Sequence, residues 1–372
     1  MFRLLKEVYR VRKNISSQSP VPTSMHLNIT GKCPCKCWHC EKADDSGGRH
    51  VPIISIEKFQ VLASQWKCPV LYSGGEPLIH PHWRRVLQSG SELGIDQKMI
   101  TSGVGFNKLT SNDLMLISRS LTELLISLDS SDGPTHDRLR GVSGLYDQII
   151  DYLGHAPRPV RVWIVHVPPP DWSGVRQVIK LAAELSVGLI VQPYIFSSNF
   201  PHLLPLSSST AVKLQLPELA GRVAARVSEL SKVSRDSGVV SNLEEIEQYI
   251  FDYYDCSNRE AWFGSKVLPR YSCSVPWQQV TIDEFERIQP CVFLRGIPIP
   301  NDGDLYHLWR TQALAFRNEI MAGKIWPECH SCSCHFSSNF RNSVLAKPFS
   351  NRKGIGVLAR KLYMKTRARI GN

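Results

Sequence analysis

LNITGKCPCKCWHC, residues 27–40, begins as a strand and ends as a loop with four cysteines in eight positions. The strand-like run covers residues 25–29. A helical stripe of Ile56, Phe59, Leu62 and Trp66 follows it in residues 55–66. The same alternation then continues along the chain. Strand-like runs stand at residues 70–72, 98–101, 124–128, 160–167 and 189–193, with helical spacing between them. Thr110 opens one of those helices, and Asp113, three residues on, completes a capping-box-like pair. Six strand–helix units over about 170 residues predict a parallel sheet with right-handed crossovers. Six units are too few to close an eight-stranded barrel. The expected fold is therefore α/β, an open partial βα barrel over residues 25–201, with its chemistry at the C-terminal strand ends.

The loop itself carries that chemistry. Eleven cysteines stand at 33, 35, 37, 40, 68, 256, 273, 291, 329, 332 and 334, and tight groups in a reducing compartment read as metal sites. Cys33, Cys37 and Cys40 have the spacing C-x3-C-x2-C. Three thiolates hold three irons of a cubane cluster and leave the fourth open to bind and reduce another molecule. Structural zinc competes, since Cys35 or His39 could be a fourth ligand, and Cys35–Cys37–Cys40 is a second possible triad. After the second strand comes LYSGGEP, residues 71–77, whose glycines permit unusual dihedrals and close backbone approach.

These two motifs at successive strand ends resemble the radical S-adenosylmethionine superfamily, and Trp38 matches an aromatic common in its cysteine motif. The resemblance implies a [4Fe–4S] cluster on Cys33, Cys37 and Cys40, with S-adenosylmethionine bound beside it. Gly74, Gly75 and Glu76 would then form the edge that meets the methionyl amino group. Ser102, ending strand three, joins the same site, and Ser127 and Arg140 would contact the ribose and carboxylate. Arg138 competes with Arg140, because the intervening loop is one residue longer than in the family; either guanidinium could grip a carboxylate as a fork. Asp129, His136 and Asp137 equally suit turns and helix caps, and His80 and His82 suit surface or core. No catalytic side chain is assigned.

A second constellation lies further on. Cys273 and Cys291 bound YSCSVPWQQVTIDEFERIQPC, and Cys329 and Cys332 form C-x2-C in WPECHSCSCHF. Four thiolates suffice to ligate one cluster fully, and a four-cysteine zinc site is the competing reading. The Cys–x–x–Pro–Trp opening and closing Pro–Cys resemble a SPASM or twitch domain, here of the shorter type with one auxiliary [4Fe–4S] cluster. That family shows a glycine shortly before the second cysteine, whereas DEFERIQPC has none. Cys334 could replace a ligand of the close pair, and Cys256 could face the substrate. Cys68 suits an ordinary buried thiol. The expected organisation is a basic leader (1–24), the barrel (25–201), a helical connector (202–255), the cluster domain (256–340) and a basic tail (341–372). Helical spacing marks 207–232, 243–254 and 311–321, and a strand marks 280–282.

The formal charge of +11 is confined to the ends. Residues 1–32 hold six basic and one acidic residue, 341–372 hold nine and none, and 29 basic and 32 acidic residues remain between them. The basic balance therefore describes two tails and excludes a nucleic-acid-binding face. Ile355, Leu358, Leu362 and Ile370 recur among tail cations at near-helical spacing, so peripheral membrane contact competes with a solvated terminus. No apolar run approaches the roughly 20 residues of a membrane span. MFRLLKEVYRVRK lacks the apolar core of a secretory signal, so the expected location is the cytoplasm. Phosphate-loop, nucleophile-elbow and His-Glu-x-x-His motifs are absent from the sequence.

The resemblance implies reductive cleavage of S-adenosylmethionine to a 5′-deoxyadenosyl radical that takes hydrogen from an unactivated C–H bond. The electron would come from a one-electron donor such as a flavodoxin or ferredoxin. A fully ligated auxiliary cluster would accept or relay an electron, which favours an oxidative, dehydrogenation-like outcome. The expected substrate is a small molecule such as a secondary-metabolite precursor. Cross-linking or epimerisation of a ribosomal peptide is the alternative, set second because 24 residues are too few for a separate leader-binding segment. A non-catalytic iron–sulfur electron carrier ranks third.

Overall fold

Met25, Leu27 and Ile29 are fully buried, while His26 and Asn28 between them are partly exposed. That period of two makes β1 (Ser24–Thr30) a strand with one face under helices and the other open. In this computed structural model, residues 21–40, 48–169, 171–192, 217–244, 246–247, 275–289, 291, 296–299 and 305–321 are described. Five more strands follow β1 in parallel: β2 (Val70–Gly74), β3 (Gln97–Thr101), β4 (Leu121–Ser127), β5 (Arg161–His166) and β6 (Gly188–Val191). Between them lie α1 (Ile53–Trp66), α2 (Trp83–Glu92), α3 (Ser111–Ser120), α4 (Gly133–Arg140), α5 (Leu145–His155) and α6 (Val175–Glu184). Each expected strand is present within a few residues of its predicted limits.

A buried polar relay holds the helices to the sheet. Gln60 of α1 donates to the Tyr72 hydroxyl (2.6 Å) and the Val86 carbonyl (2.8 Å), and Tyr72 donates to Gln97 Oε1 (2.8 Å). Every member has a partner, so the relay fixes one helix placement without an unpaired buried dipole. The expected capping box is formed: the Thr110 hydroxyl accepts from Asp113 N–H, and the Asp113 carboxylate accepts from Thr110 N–H.

The sheet does not stop at β1. After α7 (Pro217–Asp236) and the short α8 (Val275–Gln278), β7 (Gln279–Ile282) pairs in parallel with β1, Met25 opposite Val280. Then β8 (Arg287–Gln289) and β9 (Ile297–Pro298) add antiparallel, before α9 (Leu305–Met321). The order among the described residues is β6-β5-β4-β3-β2-β1-β7-β8-β9, an open sheet. Part of the expected cluster domain thus continues the barrel's own sheet, and β8 and β9 were not foreseen. Two and three residues are too short to show a periodicity. Two helix limits also differ from the reading: α7 runs on past residue 232 to Asp236, and α9 starts earlier, at Leu305.

The turn between β7 and β8 answers the missing glycine. Asp283 accepts from the N–H groups of Phe285 (2.9 Å) and Arg287 (3.0 Å), and Glu286 takes the left-handed conformation at φ 57°. The Asp283 carboxylate therefore stabilises a turn that glycine would enter without strain. Glu286→Gly is expected to raise stability by about 0.5–1 kcal/mol, read as a higher urea midpoint at unchanged slope. A lower midpoint would show that the Arg49–Glu286 ion pair (3.2 Å) outweighs the strain.

Candidate cluster and cofactor site

Thr30 ends β1, and its hydroxyl accepts from Lys32 N–H at 3.0 Å, turning the chain into the cysteine loop. There it meets the β2 end. Gly75 N–H donates to the Thr30 carbonyl (2.6 Å) and Glu76 N–H to the Lys32 carbonyl (2.8 Å). A Cβ on Gly74 would stand 2.2 Å from the Thr30 oxygen, and one on Gly75 2.0 Å from the Lys32 oxygen. Gly74 also has φ 110°. The glycine pair is thus required by the cysteine loop's own backbone, whatever ligand approaches.

Glu76 is fully buried, and its carboxylate faces the end of β3. It accepts from Thr101 Oγ1 (2.7 Å), Ser102 N–H (2.7 Å), Ser102 Oγ (2.5 Å) and Leu78 N–H (3.0 Å). Burial pushes its carboxyl upward, and these four donors pull against it. The side chain therefore locks the β2 and β3 ends together, leaving Gly74 and Gly75 on the cavity wall.

That cavity, about 340 Å³, is the space the resemblance demands. Cys33, Cys35, Cys37 and Cys40 line it with Gly74 and Gly75; Ser102, Ser127 and Arg140 close the other side. The contact of Cys33 with Cys35, more than burial, pushes the Cys35 thiol up to about 12. Contact with Cys35 and then burial push Cys37 upward as well, against the pull of Arg140. Sulfur donors are nonetheless of the type an iron–sulfur centre takes, and a bound cation would stabilise their thiolates. All four cysteines line the cavity, although among the described residues no three His, Cys, Asp or Glu side chains gather closely enough to hold a single metal ion.

The far wall comes from β4 and α4. Asp132 caps α4 by accepting from Thr135 N–H (3.0 Å), and Gly141 ends it in the left-handed conformation at φ 68°. The last carbonyls of α4 accept from the cysteine loop: Arg140 from Lys36 N–H (2.8 Å) and Leu139 from Trp38 N–H (3.2 Å). Arg140 is buried and meets Asp129, whereas Arg138 points outward to Thr135. Burial raises the Asp129 carboxyl, but Arg140 and then His39 overcome it and hold the group below the usual carboxylate range. Asp137 performs the capping duty read for it, accepting from Gly144 N–H (2.5 Å) and Tyr146 N–H (2.9 Å). His136 Nδ1 accepts from Asp129 N–H at 3.1 Å, and His80 is a core residue whose Nε2 lies 2.8 Å from the Val51 carbonyl.

Sequence reasoning missed Thr101 as the clamp on Glu76 and Asp129 as the partner of Arg140. Only the strand-end position of each hinted at a role. Of the second constellation, Cys291 is described and partly exposed just beyond β8. Cys273, Cys329, Cys332, Cys334, Cys256, most of 243–254 and both basic tails lie outside the described residues. Among the described residues no helix is long and apolar enough to cross a membrane.

No protein-family model matches the chain. It is 21% identical over 335 residues to the antilisterial bacteriocin subtilosin biosynthesis protein AlbA of Bacillus subtilis, covering 83% of this chain and 66% of AlbA, just under two thirds of that relative's length. It is 24% identical over 341 residues to the PqqA peptide cyclase of Rhodopseudomonas palustris, covering 84% of this chain and 80% of the cyclase. Among solved structures, Streptococcus suis SuiB bound to its precursor peptide SuiA superposes with TM-score 0.59 at 14% identity, covering 93% of this chain and 78% of SuiB. SuiB bound to S-adenosylmethionine gives 0.56 at 16% identity, over 80% and 68%. The SuiB likeness is one of fold. Taken with the cysteine and glycine motifs that line one cavity, these likenesses agree with the resemblance of the chain to the radical S-adenosylmethionine superfamily with a SPASM/twitch-type domain.

Proposed function

We propose that this enzyme modifies a peptide, beginning with removal of a hydrogen atom at the cavity formed by the ends of β1 to β4. The observation that carries the peptide is the span of the relatives: two proteins named for bacteriocin biosynthesis and peptide cyclisation align with more than four fifths of the chain. They displace the small-molecule substrate expected from the short leader. A leader's length is a weak signal beside similarity that runs through the barrel and beyond.

In this reading Cys33, Cys37 and Cys40 would hold a [4Fe–4S] cluster, and Gly74, Gly75, Ser102 and Ser127, which line the same cavity, would hold S-adenosylmethionine. When bound, the pair supplies a one-electron reductive cleavage that produces a hydrogen-abstracting radical. The chain's own residues hold the geometry. Glu76 keeps the β2 and β3 ends in register, the glycine pair lets the cysteine loop approach, and Ile100 gives the cavity an apolar wall. Cys273, Cys291, Cys329 and Cys332 would hold the auxiliary cluster of a C-terminal unit over 256–340, and when bound it would supply an electron acceptor for an oxidative modification. A flavodoxin or ferredoxin serves as reductant.

Anaerobic reconstitution tests this reading. About eight irons per chain are expected, two cubanes of four, together with 5′-deoxyadenosine formation. Cys33→Ala, Cys37→Ala and Cys40→Ala should each abolish cleavage and lower iron to about four, whereas Cys35→Ala should keep both. Loss of the cluster in Cys35→Ala with retention in Cys33→Ala would replace the triad by Cys35–Cys37–Cys40. Incubation with ribosomal precursor peptides, followed by mass spectrometry, tests the substrate class. Loss of two hydrogens from a peptide supports it.

A further inference from the structure

A guanidinium that clasps a ligand carboxylate needs one edge with two parallel N–H groups free. Arg140 turns one of its edges to Asp129 within the protein. Its Nη2 donates to Asp129 Oδ1 at 2.9 Å, and its Nε lies 2.7 Å from Asp129 Oδ2. The remaining nitrogen, Nη1, donates to the Cys37 sulfur at 3.4 Å. Arg140, Asp129 and Cys37 are 6%, 4% and 6% exposed, so these bonds are shielded from competing water. The backbone repeats the attachment, since the Arg140 carbonyl holds Lys36 N–H, one residue from Cys37. His39 also faces Asp129, its Nδ1 at 3.9 Å from Oδ2, farther than the Arg140 nitrogens.

We infer that Arg140, held by Asp129, is a positioning residue for the cysteine loop whose N–H on the Cys37 sulfur sets the electron affinity of the first cluster. This rests on the cluster reading above. A donor on a ligating sulfur stabilises the reduced, more negative cluster and so raises its potential. Asp129 balances the arginine's charge, so the hydrogen bond, more than net charge, provides the effect. Asp129 also stops the guanidinium from turning toward a carboxylate in the cavity, because doing so would leave a buried anion unpaired.

The test is made on reconstituted full-length protein whose arginines carry 15N in the guanidino group. Pulsed paramagnetic resonance of the reduced cluster that responds to S-adenosylmethionine is expected to show 15N coupling in the wild type and none in Arg140→Lys. In Arg140→Lys the midpoint potential of that cluster should shift downward, while affinity for S-adenosylmethionine stays within about threefold. Ser127→Ala, which leaves the Arg140–Cys37 bond in place, should keep the wild-type potential. A wild-type cluster without 15N coupling would overturn the inference alone. So would an Arg140→Lys protein with unchanged potential and affinity weakened about tenfold or more. A wild type without any cluster that responds to S-adenosylmethionine would overturn the functional reading as well. The coupling is read on wild-type protein, so it stands even where the variant fails to load iron.

Discussion

Gly75→Ala is expected to empty the first cluster site. The added methyl carbon would lie 2.0 Å from the Lys32 carbonyl oxygen and 2.5 Å from its carbon, and backbone, unlike a flexible side chain, cannot step aside. Relief requires the cysteine loop to move away, which breaks the Gly75-to-Thr30 and Glu76-to-Lys32 hydrogen bonds. Overpacking and two lost bonds together cost about 3 kcal/mol or more. Iron should fall from about eight to about four per chain, with a lower melting temperature. Gly154→Ala is the control. It sits in α5 with nothing within 4 Å of the new methyl, and is expected to stabilise the helix by up to about 1 kcal/mol. Equal effects of the two substitutions would show that the Gly75 contact with the loop is not what matters.

Glu76→Ala is expected to be the most destabilising single change at the β3 end. It removes the acceptor of Thr101 Oγ1, Ser102 Oγ and two backbone N–H groups, in a place the solvent does not reach. Unpaired buried donors cost about 1–3 kcal/mol each, and partial repair by water brings the total to about 3–5 kcal/mol. Glu76→Gln keeps the shape but turns one acceptor into a donor facing donors, and should lose about 1–2 kcal/mol. Urea unfolding of the three proteins gives the order directly. If Glu76→Ala unfolded at the wild-type midpoint and lost only S-adenosylmethionine affinity, the carboxylate would belong to ligand binding, and the clamp would be incidental.

Much of this molecule was legible along the chain. The strands announced themselves because their buried residues alternate, as Met25, Leu27 and Ile29 do, and the α3 cap because Thr110 and Asp113 stand three apart. The cysteine loop and GGEP were legible because their spacing is local. The roles inside the site were not. Glycines 74 and 75 line the cavity, and the letters did not show that the Thr30 and Lys32 carbonyls also press against them. Nor did they show that the Glu76 carboxylate accepts from Thr101 and Ser102 at the end of β3. Arg138 and Arg140 were indistinguishable as letters two apart; α4 ends with one turned into the core and the other outward.

Local pattern alone determined the six-unit βα order, the position of chemistry at strand ends, and a cysteine loop spaced for a three-thiolate cluster. Tertiary structure alone decided that β7 lies beside β1 across some 250 residues, that Glu76 closes on Ser102, and that Arg140 reaches Cys37 from 103 positions away. The reason is physical. Periodicity of burial is written into every few residues, so it survives without neighbours. Which strand end faces which, and whose carboxylate reaches an arginine first, depends on sheet register and on competition among buried groups, and those exist only once the chain has closed on itself.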